Sequence, residues 1–488
     1  QQIVNTELPG YQNQTNDNNG SQRYQLRNRE HIRNVKYNSD DYVLMVCDNE
    51  PLTFKEAMDS PDSEKWKVAI AKELNELHDN NTWTETERPK NSKVITSKWV
   101  FKRKLDGENE IFKARLVARG FQQDEVFDYF DVYSPVAKVQ TLRILLAVAV
   151  HNNLEVHQMD VVGAFLNGNI DEIVYMEKPE GYELKGNKVL KLCKSLYGLK
   201  KSPKYWNNKL NDFMIKEGFK RSQNDLCLYI KDGMYVLIYV DDVLIFCNNE
   251  NRIMELKAKF QNTFKMKNLG TVSKYLGMQI TRDEDSLKIN QTQYIQNILK
   301  KFNMSDCKSI STPIEPNYEH VGEYDPNYEN LCRSALGALL YLSLCSRPDI
   351  TVAVNVLSRC QTQANVNLWN ALKRIFRYLK GTSELCLVFL KNKLECLTLE
   401  CYADADWAGD KSTRRSTSGF IVQINGCTVL WQSRRQNSVS LSTAESEYVA
   451  LSEACSDVIW VTNILNDLSI NFNKPINIFE DNQYIHIL

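Results

Sequence analysis

Tyr235-Val236-Leu237-Ile238-Tyr239-Val240-Asp241-Asp242-Val243-Leu244-Ile245-Phe246 is the stretch on which the fold turns. Two apolar runs flank a pair of adjacent acids, which reads as an antiparallel hairpin with the acids at its tip. Both runs are apolar at successive positions, the pattern of strands buried on two faces. A carboxylate leaving such a layer is costly unless something compensates its charge. A bound divalent cation would do so; the plainer reading is that Asp-Asp only makes the turn, since Asp favours turns. Two more features weigh for the cation. Val156-His157-Gln158-Met159-Asp160 is a short strand that also ends in an acid, followed by Val161-Val162-Gly163-Ala164-Phe165. Ser195-Leu196-Tyr197-Gly198-Leu199-Lys200-Lys201-Ser202-Pro203 lies between these acids. Carboxylates on neighbouring strands, holding cations about 3.5–4 Å apart, are what two-metal phosphoryl transfer needs.

Outward from this centre the chain divides by pattern. Residues 1-50 are polar, rich in Asn, Gln, Asp and Ser, and too poor in apolar residues to offset their ordering entropy, so they read as a disordered linker. Its basic run, Arg23, Arg27, Arg29, Arg33 and Lys36, is a solvated charge run or a nucleic-acid contact. A helical stretch opens at Thr53 and carries Trp66, Ile70, Leu74 and Leu77 at helix spacing. Strand-like segments follow at 97–104 and 111–120, then a buried helix at 142–150. Helices dominate 294–379, with an irregular stretch at 312–326. A second αβ unit begins near Leu397. In it, Glu400 to Gly409 reads as a strand ending in acids, and Ile476-Asn477-Ile478-Phe479-Glu480 ends at Asp481. Ser442-Thr443-Ala444-Glu445 is a capping box that starts a helix. Leu451, Ala454, Val458 and Leu465 form that helix's apolar stripe, and Glu447, four residues before Leu451, projects on the same side.

Composition narrows the function classes. The chain has 488 residues, 43% hydrophobic and 25% charged, as in ordinary globular proteins of two to four domains. Sixty Lys+Arg against 61 Asp+Glu give a net charge of −1, so a nucleic-acid groove must come from local clustering. No uncharged run approaches the roughly 20 residues of a membrane span. The polar start has no signal-peptide core and no Met, and reads as a fragment. Thirteen cysteines without a C-x-x-C pair argue against zinc knuckles and disulfide scaffolds, and for a reducing compartment.

The ordered set resembles the reverse transcriptase of copia-type LTR retrotransposons. The string around Asp160 looks like polymerase motif A, Tyr197-Gly198-Leu199-Lys200-Lys201-Ser202-Pro203 like motif B, and Tyr239-Val240-Asp241-Asp242 like motif C. Phe264 to Gly270 with Tyr275-Leu276-Gly277 resembles the block after motif C. Lys98 to Lys102 and Phe112 to Gly120 resemble the fingers, and Ser346 to Ile350 and Arg377 to Thr382 the downstream segments. The resemblance implies an α+β right-hand polymerase with fingers and palm at 51-285 and a mainly helical thumb and connection at 286-395. A ribonuclease H-like α/β domain would occupy 396-488. It implies Asp160, Asp241 and Asp242 as ligands of two Mg²⁺, with Mn²⁺ as a substitute and the carbonyl of Val161 facing a metal. Phe165 would stand beside the sugar 2′ position, Tyr197 and Gly198 against nucleotide and template, and Lys102, Lys113 and Arg115 would grip the triphosphate. In the second unit Asp404, Glu447 and Asp481 match the ribonuclease H carboxylates, with Asp406 competing for the first place; spacing to the strand end favours Asp404.

Further expectations follow from the resemblance. The partners are an RNA template, a DNA primer and template, deoxynucleoside triphosphates, and other polyprotein products such as integrase and capsid, without a membrane. The location is cytoplasmic, in a virus-like particle with passage to the nucleus, and not secreted. Relatives continue beyond the position of Leu488 with a His-bearing loop and a fourth carboxylate, so ribonuclease H activity is expected to be weak or absent. The rival readings are an inactive truncated copy that at most binds nucleic acid, and a structural part of a larger polyprotein.

Overall fold

The computed structural model describes residues 50–90, 92–106, 109–123, 132–184, 186–316, 318–391 and 396–482. The linker up to residue 49, with its basic run, lies outside them. The helical stretch after Thr53 is two helices, α1 (Phe54–Asp59) and α2 (Ser63–Asp79), because Ser60-Pro61-Asp62 interrupts it. Thr53 caps α1, its side chain accepting from the Glu56 amide at 3.1 Å. Strands β1 (Trp83–Glu87) and β2 (Val94–Ile95) precede a long hairpin, β3 (Ser97–Asp106) and β4 (Asn109–Ala118). One face of that hairpin, Trp99, Phe101, Ala114 and Leu116, packs on Trp66 of α2.

Helix α3 (Val139–His151) is buried along ten consecutive residues and leads into β5 (Glu155–Val161). Strands β6 (Tyr175–Met176) and β7 (Lys188–Leu192) complete a four-stranded sheet in the order β1-β7-β6-β2. Helix α4 (Ser202–Lys216) starts with Pro203 in its first turn. Then come β8 (Lys220–Arg221), β9 (Leu228–Lys231), β10 (Met234–Tyr239) and β11 (Asp242–Cys247). Helix α5 (Glu250–Thr263) and β12 (Met266–Thr271) close a six-stranded antiparallel sheet, β12-β5-β11-β10-β9-β8. Every residue of β10 is buried, as its unbroken apolar run predicts. Met159, Val236, Ile238, Val243 and Ile245 meet α4 and α5 on one face of this sheet. Leu237, Leu244 and Phe246 join α3 and the downstream helices on the other.

Strands β13 (Lys274–Tyr275), β14 (Met278–Asp283) and β15 (Ser286–Asn290) follow, so a boundary at 285 falls in the β14–β15 turn. The helical portion comprises α6 (Thr292–Lys301), α7 (Pro326–Cys345), α8 (Thr351–Ser358) and α9 (Val366–Gly381). Strand β16 (Leu387–Leu390) returns to pair with β15. The last unit is β17 (Leu399–Asp410), β18 (Arg415–Ile424), β19 (Cys427–Arg435), helix α10 (Thr443–Asp467) and β20 (Asn477–Phe479). Its sheet order is β19-β18-β17-β20, with β20 parallel to β17 and α10 packed on it. The architecture is α+β, as expected.

An apolar core runs from α3 through α7 and α9 to β18 and α10. Buried Arg143 of α3 crosses it: its guanidinium donates to the carbonyls of Val429 (2.7 Å), Leu344 (2.7 Å) and Cys345 (3.0 Å) and stacks 3.8 Å from the Trp431 ring centre.

Candidate active site and a second acidic centre

Strand register brings the three central aspartates to one end of the large sheet. Asp160 on β5 is the direct cross-strand partner of Asp242 on β11, so both project from the same face. Asp241 sits in the two-residue turn between Tyr239 and Asp242, and its carbonyl accepts from the Val161 amide at 2.9 Å. Val240, the other turn residue, has φ 56°. A β-branched residue there is strained, at a cost of about 1–3 kcal/mol that surrounding contacts must hold. The Trp206 indole supplies one, donating to the Val240 carbonyl at 2.7 Å. Gln158, two residues before Asp160 on its strand, donates to Asp242 Oδ1 at 3.2 Å. Neither Trp206 nor Gln158 stood out in the sequence. For Gln158 the signal was the period-2 spacing from Asp160.

The motif B stretch is clamped to the fingers hairpin. The Ala118 amide donates to the Tyr197 carbonyl at 2.7 Å. Gly198 has φ +92°, and a Cβ there would lie 2.1 Å from the Ala118 carbonyl oxygen, so only glycine fits. Buried Phe165 and half-buried Tyr197 meet edge to face, 4.7 Å between ring centres, and the Arg115 guanidinium lies 5.2 Å from the Tyr197 ring. Lys102 and Lys113 are cross-strand partners on the hairpin face that Arg115 shares. Lys102 also pairs with Glu50 at 3.5 Å. Three oxygen donors of carboxylate type, hard and anionic, suit Mg²⁺ or Mn²⁺.

The second centre is tighter. One oxygen each from Asp404, Glu447 and Asp481 lies within 4.8 Å of the others. Asp404 lies within β17's regular pairing, opposite Gly419, and Asp406, opposite Thr417, is the last residue before the register shift. The Asp406 carboxylate instead folds over Gly409. Of the two, Asp404 is the one grouped with Glu447 and Asp481. Ser442 caps α10, accepting from the Glu445 amide at 3.1 Å, and Glu445 turns back to the Leu441 amide at 2.6 Å. Glu447 is 7% exposed, on the stripe of Ala450, Ala454 and Val458; Leu451 is only half-buried. Burial, then the charge of Asp404, pushes the Glu447 carboxyl up to about 7. Its Oε2 is enclosed without a hydrogen-bond partner, which a cation would remedy.

Residues 80–316 match the family described as reverse transcriptase (RNA-dependent DNA polymerase). The chain is 37% identical over 474 residues to the Retrovirus-related Pol polyprotein from transposon TNT 1-94 of Nicotiana tabacum, covering 93% of this chain and 35% of that one. It is 36% identical to the Pol polyprotein from transposon RE1 of Arabidopsis thaliana, covering 90% of this chain and 30% of the relative. The chain belongs to the copia-type retrotransposon Pol family. It spans about a third of the length of these Pol relatives. A solved foamy viral protease-reverse transcriptase in complex with double-stranded DNA aligns at TM-score 0.46 and 14% identity, over 87% of this chain and 64% of that chain.

Proposed function

We propose that this Pol chain is an RNA-directed DNA polymerase, adding deoxynucleotides to a primer 3′-hydroxyl by in-line attack on the α-phosphorus. The observation that carries this reading is the register that sets Asp160 opposite Asp242 with Asp241 in the adjoining turn. These residues would hold two Mg²⁺, with Mn²⁺ as a substitute and the Val161 carbonyl as an added ligand. Bound there, the cations would activate the attacking hydroxyl and neutralise charge on the phosphate oxygens. Gln158 holds Asp242 in orientation. Phe165, braced by Tyr197, would leave no room for a ribose 2′-hydroxyl, and Gly198 lets the nucleotide-binding turn press against the fingers. Arg115, Lys113 and Lys102 would draw the triphosphate toward the palm through charge-assisted contacts. Template and primer would be held mainly through their phosphates, so binding should weaken with salt.

The second centre would hold a divalent cation through Asp404, Glu447 and Asp481. The main test is primer extension on an RNA template with Mg²⁺. Asp241→Asn should abolish it, and unchanged extension would exclude the palm site.

A further inference from the structure

The second centre carries one acid more than its motif accounts for. Strand β20 runs parallel to β17 with Cys401 opposite Ile478 and Tyr402 opposite Phe479. Carried one residue further, this register sets Glu480 beside Ala403, a buried position on the face that α10 covers. Asp481 then falls beside Asp404. Glu447 descends from the first turns of α10 onto this strand end. Two carboxylate oxygens are enclosed here without a hydrogen-bond partner, Glu447 Oε2 and Glu480 Oε2. The other oxygen of Glu480 accepts from the Asn482 amide at 2.9 Å, which fixes the carboxyl group in place. Enclosing an unsatisfied carboxylate oxygen is unfavourable, and doing so twice beside like charge is more so. A divalent cation between the two removes both penalties. Mg²⁺ and Mn²⁺ take about six oxygens, so a fourth carboxylate has a place in the shell alongside water.

We propose that Glu480 is a fourth carboxylate of this centre, reaching the cation from the helix side while Asp404 and Asp481 reach it from the outer side. The proposal rests on reading Asp404, Glu447 and Asp481 as cation ligands. It gives Glu480 a task that the pattern of strand and helix residues does not assign.

The test is Mn²⁺ titration of the full chain, followed by electron paramagnetic resonance, in an Asp241→Asn, Asp242→Asn background that silences the palm. Glu480→Gln should weaken binding at the remaining centre about tenfold or more, the usual effect of losing a supporting group. Glu480→Asp, which keeps the charge, should recover part of the loss. Unchanged affinity in Glu480→Gln, alongside weakened binding in Glu447→Gln, overturns the fourth-ligand proposal and leaves the three-acid reading standing. Equal losses in Glu480→Gln and Glu480→Asp also overturn it, since a packing defect would then explain both. If Glu447→Gln also binds Mn²⁺ like the parent, the three-acid reading itself fails.

Discussion

The palm and the C-terminal centre gather acids by different means. Asp160 and Asp242 stand on central strands of a six-stranded sheet buried on both faces, and adjacent-strand register alone pairs them. The C-terminal trio joins the middle of β17, the start of a helix and a residue just past β20, a three-residue edge strand. Its acids crowd one another, and burial together with the charge of Asp404 makes Glu447 hold its proton more tightly. The contrast teaches that strand register pairs acids through backbone hydrogen bonds alone, whereas the converged cluster brings acids together from three elements at a cost that falls on Glu447.

The largest expected effect separates the two centres. Asp241→Asn should lower primer extension by about a hundredfold or more, while Glu447→Gln leaves extension within about twofold of the parent. Equal losses in both would break the comparison, because the centres would then act as one.

Next is the clamp beside the palm. Gly198→Ala drives a Cβ into the Ala118 carbonyl from a left-handed backbone, so stability should fall by about 1–3 kcal/mol. The KM for deoxynucleotide should rise as well. A urea melt and nucleotide titration check both, and a wild-type melt with wild-type KM would remove the clamp from the account.

Arg143→Leu strips the buried guanidinium from three carbonyls on β19 and α7. Unsatisfied carbonyls should cost about 2–3 kcal/mol in unfolding free energy. A change below about 0.5 kcal/mol would mean that the apolar core alone joins these elements.

The smallest effect is a pH slope. The folded pKa of Glu447, about 7, lies above the usual carboxylate value, so between about pH 4.5 and 7 the native state binds more protons than the unfolded chain. Cation-free stability should therefore fall as pH rises through this window, and Glu447→Gln should flatten part of the slope. Glu73 on α2, pushed up to about 7 by burial, adds to the slope in the same direction. Millimolar Mn²⁺ should reduce the Glu447 part and leave the Glu73 part. An identical slope with and without Mn²⁺ would count against a cation at Glu447.

Much of this was legible in the residues. Unbroken apolar runs mark β10 and β11, and acids at run ends mark the palm, because strand periodicity and the cost of burying charge are local properties. The capping box at Ser442 announces α10 for the same reason. The α1–α2 break was missed because the apolar spacing continues across Ser60-Pro61-Asp62. Asp404 and Asp406 could not be told apart by period, since residues two apart share a strand face; it is Asp404 whose oxygen lies with those of Glu447 and Asp481. Arg143 sits in a run that otherwise reads as plain buried helix, and its acceptors are carbonyls 201 to 286 residues away, which no side-chain pattern encodes. Glu480 escaped notice because its neighbour Asp481 satisfied the motif.

The central claim is most directly tested by anomalous diffraction from crystals soaked with Mn²⁺, carrying a terminated primer, RNA template and the next deoxynucleotide. The account predicts manganese peaks bounded by the carboxylates of Asp160, Asp241 and Asp242, beside the triphosphate. A nucleotide bound there with no manganese, or with the Asp160 carboxylate turned away from the ions, would contradict it.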